Sequence, residues 1–269
     1  MIRALWTAAT GMQAQQLNID VISNNLANVN TTGFKHSRTA FQDLLYANLR
    51  PAGSETASTG TQVPAGIQLG HGVKAVAVAK EFNQGSLVPS SEDPFNVDLA
   101  ISGHGFFQIE LPSGEIAYTR DGHFTISKDG NIVTSDGYPL VGGNISINPT
   151  QHTGVTIGPS GNIGLSTVTA PGFTAGVSQV VLARFVNPAG LTAVGNNLFV
   201  ESIASGTPQT SNPEENGMGS LKQHVLEQSN VNMVTEMVDM IATQRAYEVG
   251  TKSIQTADSM LGLVAQLKR

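Results

Sequence analysis

Six histidines, His36, His71, His104, His123, His152 and His224, are the first residues to weigh as metal ligands or general bases. They are scattered, and no two stand at the spacing that puts a ligand pair on one helix face. Three aspartates, Asp121, Asp129 and Asp136, recur at near-regular intervals, as paired carboxylates or a calcium loop would. Each is followed directly by glycine, and a turn accounts for an Asp-Gly pair without any catalytic duty. The tract "GPSGNIG" (158–164) spaces its glycines by three with no helix to follow, so it lacks the dinucleotide-binding pattern. "SGHGFF" reads as a turn, and no Gly-x-Ser-x-Gly nucleophile elbow occurs. No enzyme chemistry, cofactor or metal is expected.

Composition narrows the field further. The 269 residues carry a formal net charge of −6, and the 14 Lys and Arg form no run, which argues against a nucleic-acid partner. Charged residues are 13% of the chain, where an ordinary soluble domain has about 25%. The polar surface is therefore weakly charged and poorly guarded against self-association. There is no cysteine, which excludes disulfides and thiolate metal sites. No stretch approaches the roughly 18 apolar residues of a membrane span, so no membrane insertion is expected. The N-terminal "ALWTAATGMQAQQ" is too interrupted for a signal-peptide core, which predicts either a cytosolic chain or export without a cleaved signal.

Long-range order is set by a change of period. Leu5, Ala8, Met12, Ile19, Ile22 and Leu26 follow the three–four–seven spacing of a helical seam. From Ser220 to the C-terminus there is no proline, and Leu226, Met233, Met240, Tyr247, Ile254 and Leu261 recur every seven residues, widened by Val234, Met237, Val238, Ile241, Ala257, Val264 and Ala265. One continuous helix is expected there. Between the two ends the period falls to 2: "VKAVAVA", "VDLAIS", "GFFQIEL", "HFTI", "NIVT", "VSQVVLARFV" and "NLFV" read as strands, with turns at Arg120-Asp121-Gly122, Lys128-Asp129-Gly130-Asn131 and Ser135-Asp136-Gly137. The expected class is α+β: N- and C-terminal helices forming a coiled-coil-like α domain, with a central all-β domain inserted between them. Residues 48–72 are rich in Gly, Pro, Ser and Thr, a linker-like composition. Neither terminal helix buries a full stripe alone, and each internal glycine (Gly11, Gly250, Gly262) costs an isolated helix about 1 kcal/mol. Burial against other copies of the chain, with small residues such as Ala8, Ala9 and Ala257 allowing close approach, is the outcome this predicts.

Asn18, Asn24, Asn25, Asn28 and Asn30 crowd the end of the first seam. Asparagine is a mediocre helix former, but its amide donates and accepts at once. The first helix should stop near Leu26 to Val29, with Thr31, Thr32 and Gly33 making a turn, Gly33 as the C-terminal stop, and Phe34 anchoring the exit. The amides would then satisfy the helix end and bond to neighbouring subunits.

Three blocks carry a resemblance. "NNLANVNTTGFK" (24–35), the central "VDLAISGHGFFQI" with "YTRDGHFTISKDGNIVTSDGYPL", and "SNVNMVTEMVDMIATQRAYEVGTKSIQTADSML" (229–261) resemble, in order, the signatures of the flagellar basal-body rod protein family, the axial rod and hook subunits. The length and the polar tract after Tyr46 fit its distal-rod members. The resemblance implies 1–45 and 220–269 as the helical, inner-tube domain, 46–79 as an extended insertion that stiffens the shaft, and 80–219 as the outer β domain. It implies a non-enzymatic subunit of a hollow drive shaft that passes torque to the hook. Implied partners are other copies of the chain, the proximal rod and hook proteins, the P-ring and L-ring proteins, and the flagellar type III export apparatus. The implied place is the basal body, between periplasm and outer membrane. The expected subunit interface comprises Leu5, Ala8, Met12, Ile19, Ile22, Asn24, Asn25, Leu26, Asn28, Gly33 and Phe34, and on the second helix Met233, Met237, Met240, Ile241, Tyr247, Ile254, Leu261 and Val264. A proximal rod or hook subunit, or a secreted β-domain adhesin or enzyme joined through helices, are the alternatives.

Overall fold

The computed structural model describes residues 2–53, 64–93, 95–145, 152–167 and 170–267. Two long helices, α1 (Ile2–Ala27) and α2 (Met233–Leu267), stand at the two ends of an otherwise β chain, which is an α+β composition. The chain divides into two units. One draws on Met1–Leu26, Ser37–Ala79 and Met233–Arg269; the other on Ala27–His36 and Lys80–Asn232.

In the helical unit, α1 and α2 run antiparallel. Asn25 faces Glu236, Asn18 faces Thr243 and Met12 faces Gly250, so numbering falls on one helix as it rises on the other. Among the described side chains of α2, the buried and half-buried positions are Glu236, Met240, Thr243, Gly250, Ile254, Ala257 and Leu261, with Thr251 beside Gly250. Their three–four spacing is that of a helical seam. The same unit holds a long antiparallel ribbon: Ser37–Asp43 lies beside Val73–Lys80, and Tyr46–Arg50 pairs with Ile67–Gly70. The linker-like composition of 48–72 is therefore spent on strands at both ends of that stretch, while 54–63 lie outside the described residues.

The β unit packs its sheets around two apolar clusters. Its largest sheet is antiparallel, in the order Thr192–Gly195, Leu198–Val200, Ile116–Thr119, Phe106–Glu110, Leu182–Arg184, Gln209–Ser211. A four-stranded sheet runs Ile132–Thr134, His123–Ile126, Val97–Ser102, Ser220–Gln223. Phe107 and Ile109 point into the main cluster with Leu99, Phe124 and Leu182, while Phe106, one residue away, joins Tyr118, Phe185 and Phe199 in the second. Alternation along one strand thus feeds two cores, because successive side chains leave a strand on opposite faces.

Three expectations need correction. The C-terminal helix starts at Met233, not Ser220: Ser220–Gln223 pairs with Val97–Ser102, and Val225–Glu227 with Leu87–Pro89, so Leu226 sits in a strand. A run without proline permits a helix but does not demand one, and Ser220–Gln223 with its single apolar residue carries no period of its own. Gly33 is not the stop of α1, which ends six residues earlier at Ala27, where the Asn28 carbonyl accepts from the Thr31 N–H (3.2 Å) and its side chain from the Thr31 hydroxyl (3.1 Å); the expected turn at Thr31–Gly33 is present, with the Phe34 N–H on the Thr31 carbonyl at 3.3 Å and Gly33 at φ +68°. Of the three Asp-Gly turns, those at Gly130 and Gly137 have the expected positive φ and turn hydrogen bonds. Asp121-Gly122 instead carries the chain from the large sheet to the four-stranded one, with a Cβ on Gly122 blocked by the Leu99 carbonyl.

Candidate assembly surface and the charged clasp

Within the β unit, the segment following α1 and the segment preceding α2 meet at a buried cluster of charge. Gly33 donates its N–H to the Glu227 carbonyl at 2.8 Å. Its φ is +68°, and a Cβ there would lie 2.5 Å from the Asp121 nitrogen, so backbone packs directly on backbone. Lys35, fully buried, bonds Glu227 Oε1 at 2.6 Å and donates to the Asn83 carbonyl at 2.8 Å. Arg120 reaches the other carboxylate oxygen at 3.3 Å and donates to the Gly103 carbonyl at 2.7 Å, with its Nη1 3.5 Å from the Ile101 carbonyl. The Gly85 N–H completes Glu227 at 2.9 Å. Burial lowers the Lys35 and Arg120 affinities for their protons, with Glu227 pulling each the other way. Asn230 joins the same region, accepting from the His36 N–H at 2.7 Å and donating to the Glu81 carbonyl at 2.9 Å. Phe34, buried within the chain itself, lies under the Lys80 ammonium at 4.8 Å.

One polar cluster resembles a relay at first sight. Asp98, buried, accepts from Ser90, from Asn96 at 2.7 Å, and bonds His123 Nδ1 at 2.8 Å. Serine and imidazole both bond the carboxylate here, whereas nucleophilic catalysis needs the imidazole between the two. Among the described residues no three His, Asp or Glu gather as a metal site.

The helical unit presents the candidate assembly surface. Ile22 and Asn25 are buried within it, Leu5, Ala8, Met12, Ile19 and Leu26 half-buried, and Asn24 exposed. Asn25 spends its amide at home: it donates to the Ser37 carbonyl (2.9 Å) and Glu236 (3.2 Å), and accepts from the Ser37 N–H (3.0 Å). Asn18 likewise accepts from the Thr39 hydroxyl at 2.6 Å and donates to Thr243 at 3.2 Å. On α2, Met240, Ile254 and Leu261 are half-buried, Met233, Met237, Ile241 and Tyr247 are exposed, and the Val264 side chain lies outside the described residues. Val234 at 71% and Val238 at 59% exposure complete an apolar face opposite the α1-facing seam. The ribbon adds apolar surface that the site reading missed: Leu45 is 87% exposed, with Tyr46, Leu49, Ile67, Leu69 and Val76 also open. The alternation in "VKAVAVA" was the available signal, but it reads as a core strand when its partner is unknown.

Comparison with known proteins agrees along the whole chain. Three family models match: "Flagella basal body rod protein" over 5–35, "Flagellar hook protein FlgE/F/G D1 domain" over 100–165, and "Flagellar basal body rod FlgEFG protein C-terminal" over 222–267. The flagellar basal-body rod protein FlgG of Caulobacter vibrioides is 49% identical over 267 residues, covering 99% of this chain and all of the relative. The FlgG proteins of Borreliella burgdorferi and Bacillus subtilis are 45% and 37% identical, each with both chains covered in full.

Proposed function

The chain belongs to the FlgG family of flagellar basal-body rod proteins, and we propose that it builds the distal rod by burying the open faces of its helical unit against other copies. It is a structural protein of the flagellum and not an enzyme. The observation that carries the mode of assembly is the α2 face of Met233, Val234, Met237, Val238 and Ile241, each about half exposed or more. A contiguous apolar face of this kind is rare on a monomer and marks an interaction surface. The ribbon is the second element: an isolated two-stranded ribbon is marginal in water, and one open on apolar residues gains stability from a neighbour.

Pairing of α1 and α2 as an antiparallel coiled coil leaves that α2 face for the next subunit, in the inner tube of the shaft. The ribbon, within the 46–79 insertion, supplies the contacts that stiffen it. The proximal rod, hook, P-ring and L-ring proteins as neighbours, export through the flagellar type III apparatus, and a place spanning periplasm and outer membrane belong to the same proposal. Electron microscopy of Val234→Asp with Val238→Asp tests it. Straight tubes from the unaltered chain and none from the variant, with the thermal unfolding of the β unit unchanged, are expected. Tubes from both would remove the α2 face from the interface.

A further inference from the structure

We propose that a cleft between Arg120 and Arg184 in the β unit receives a carboxylate side chain from a second copy of this chain. The proposal rests on the self-assembly reading above. The cleft encloses roughly 220 Å³, and Phe82, His104, Phe106, Arg120, Arg184 and Phe185 line it; among the described residues no Asp or Glu does. That volume takes one side chain and excludes a helix about 10 Å across. Its walls are aromatic: Phe106 meets Phe82 edge-on at 5.3 Å and Phe185 at 5.9 Å, and the Arg120 guanidinium lies 5.5 Å over the Phe106 ring. An aliphatic stem ending in a carboxylate suits such walls and such cations.

Two observations point to an anion. The buried cluster behind the cleft holds two cations, Lys35 and Arg120, against Glu227 alone among the ion pairs they make, and Arg120 Nε is buried without an acceptor among the described residues. A second negative group nearby compensates that excess, and low-dielectric surroundings strengthen the attraction. At the rim, Arg184 is exposed, and its Nη1 comes within 3.0 Å of where a Cβ on Gly217 would stand. Gly217 has φ +75°, so a residue without a side chain leaves that space to the guanidinium. A second copy is the occupant because the chain holds 20 acidic residues against 14 basic ones. The cleft sets the exposed Arg184 beside the buried Arg120 on a chain whose net charge is −6.

The test places the photocrosslinking residue p-benzoylphenylalanine at Val186, which lines the cleft and is 83% exposed, in the full chain assembled into rods. Mass spectrometry after irradiation should find an adduct to a peptide of this same chain containing Asp or Glu. Arg184→Glu should cut that adduct about fivefold, the worth of an exposed ion pair at the upper end of its range, with no change in the melting of the monomer. An adduct to another protein, an adduct to a segment without an acid, no adduct, or equal yield from Arg184→Glu would each overturn the proposal. Micrographs taken before irradiation separate the two readings, since a chain that builds no rods fails at self-assembly before the cleft is in question.

Discussion

Lys35 and Glu227 stand 192 positions apart and share a 2.6 Å ion pair from which solvent is excluded on both sides. The residues on either side of that pair connect directly to the two terminal helices, so the β unit holds both connecting segments at one point. Replacing Glu227 by Gln leaves Lys35 and Arg120 buried without their shared carboxylate, and breaking such a pair from one side costs about 3–5 kcal/mol. Thermal unfolding of the full chain should show the β-unit transition lowered by roughly 6–20 °C at about 2–4 °C per kcal/mol. A transition within a degree or two of the parent would mean that the cluster relaxes to admit water.

The same cluster gives stability a slope with pH. Burial holds Lys35 below the ordinary lysine value of 10.5, with Glu227 opposing the shift and Arg120 adding to it. Between its folded value and 10.5 the unfolded chain keeps a proton that the folded unit has released, so this group's contribution to stability rises with pH across that window. Below the folded value both states are protonated and the burial penalty is present in full. Urea unfolding of Lys35→Met, followed from neutral pH to about 10, should lack the rise seen in the parent chain. Parallel curves would remove Lys35 as its source.

Much of this was legible in the residues. The switch of period from helical to alternating located α1, most of α2 and the strands at 97–102 and 106–110, because those patterns reflect which face each element buries. The clasp was not legible: Lys35 and Glu227 read as ordinary polar residues, since nothing local marks two side chains that meet only after the sheet has formed. The asparagines were half legible. Their capacity to donate and accept was plain, but whether Asn25 spends it on Ser37 or on another subunit depends on a strand that begins ten residues after the helix ends.

Asn25→Ala follows from that contact. It removes three hydrogen bonds, two of them to the half-buried Ser37 backbone, at a cost of about 1–3 kcal/mol in all. The loss should fall on the helical unit: far-ultraviolet circular dichroism at 222 nm should melt earlier while the β-unit transition stays in place. Asn28→Ala, which removes the acceptor of one Thr31 hydroxyl contact, should cost less than 1 kcal/mol. Equal effects from the two would remove the special standing of Asn25.

Gly33 is irreplaceable for a different reason. Alanine there adds a Cβ 2.5 Å from the Asp121 nitrogen and 2.7 Å from the Arg120 carbonyl carbon, on a residue already at positive φ. Two backbones would have to separate beside the clasp, a strain of about 2 kcal/mol or more. Gly33→Ala should therefore lower the β-unit midpoint in urea, and Gly33→Asn, which tolerates the dihedral but not the contact, should recover little. Full recovery by Asn would make the dihedral, not the close approach, the reason for glycine.

Gly11 and Gly262 separate the monomer from the polymer. Beyond its own helix, neither meets any atom of the described residues within 4 Å of a built Cβ, and both lie inside long helices. Alanine at each should stabilise the helix by about 1 kcal/mol, raising helicity and slowing amide exchange in the free subunit. A chain selected only as a monomer would gain from both changes. If the glycines instead leave room for a neighbouring copy to come close, the same substitutions should reduce the yield and length of straight tubes while the free subunit grows more stable. Counting tubes by electron microscopy beside hydrogen exchange on the unassembled chain reads both effects. Tubes formed as well as in the parent would show that the space at these glycines is not used by another subunit.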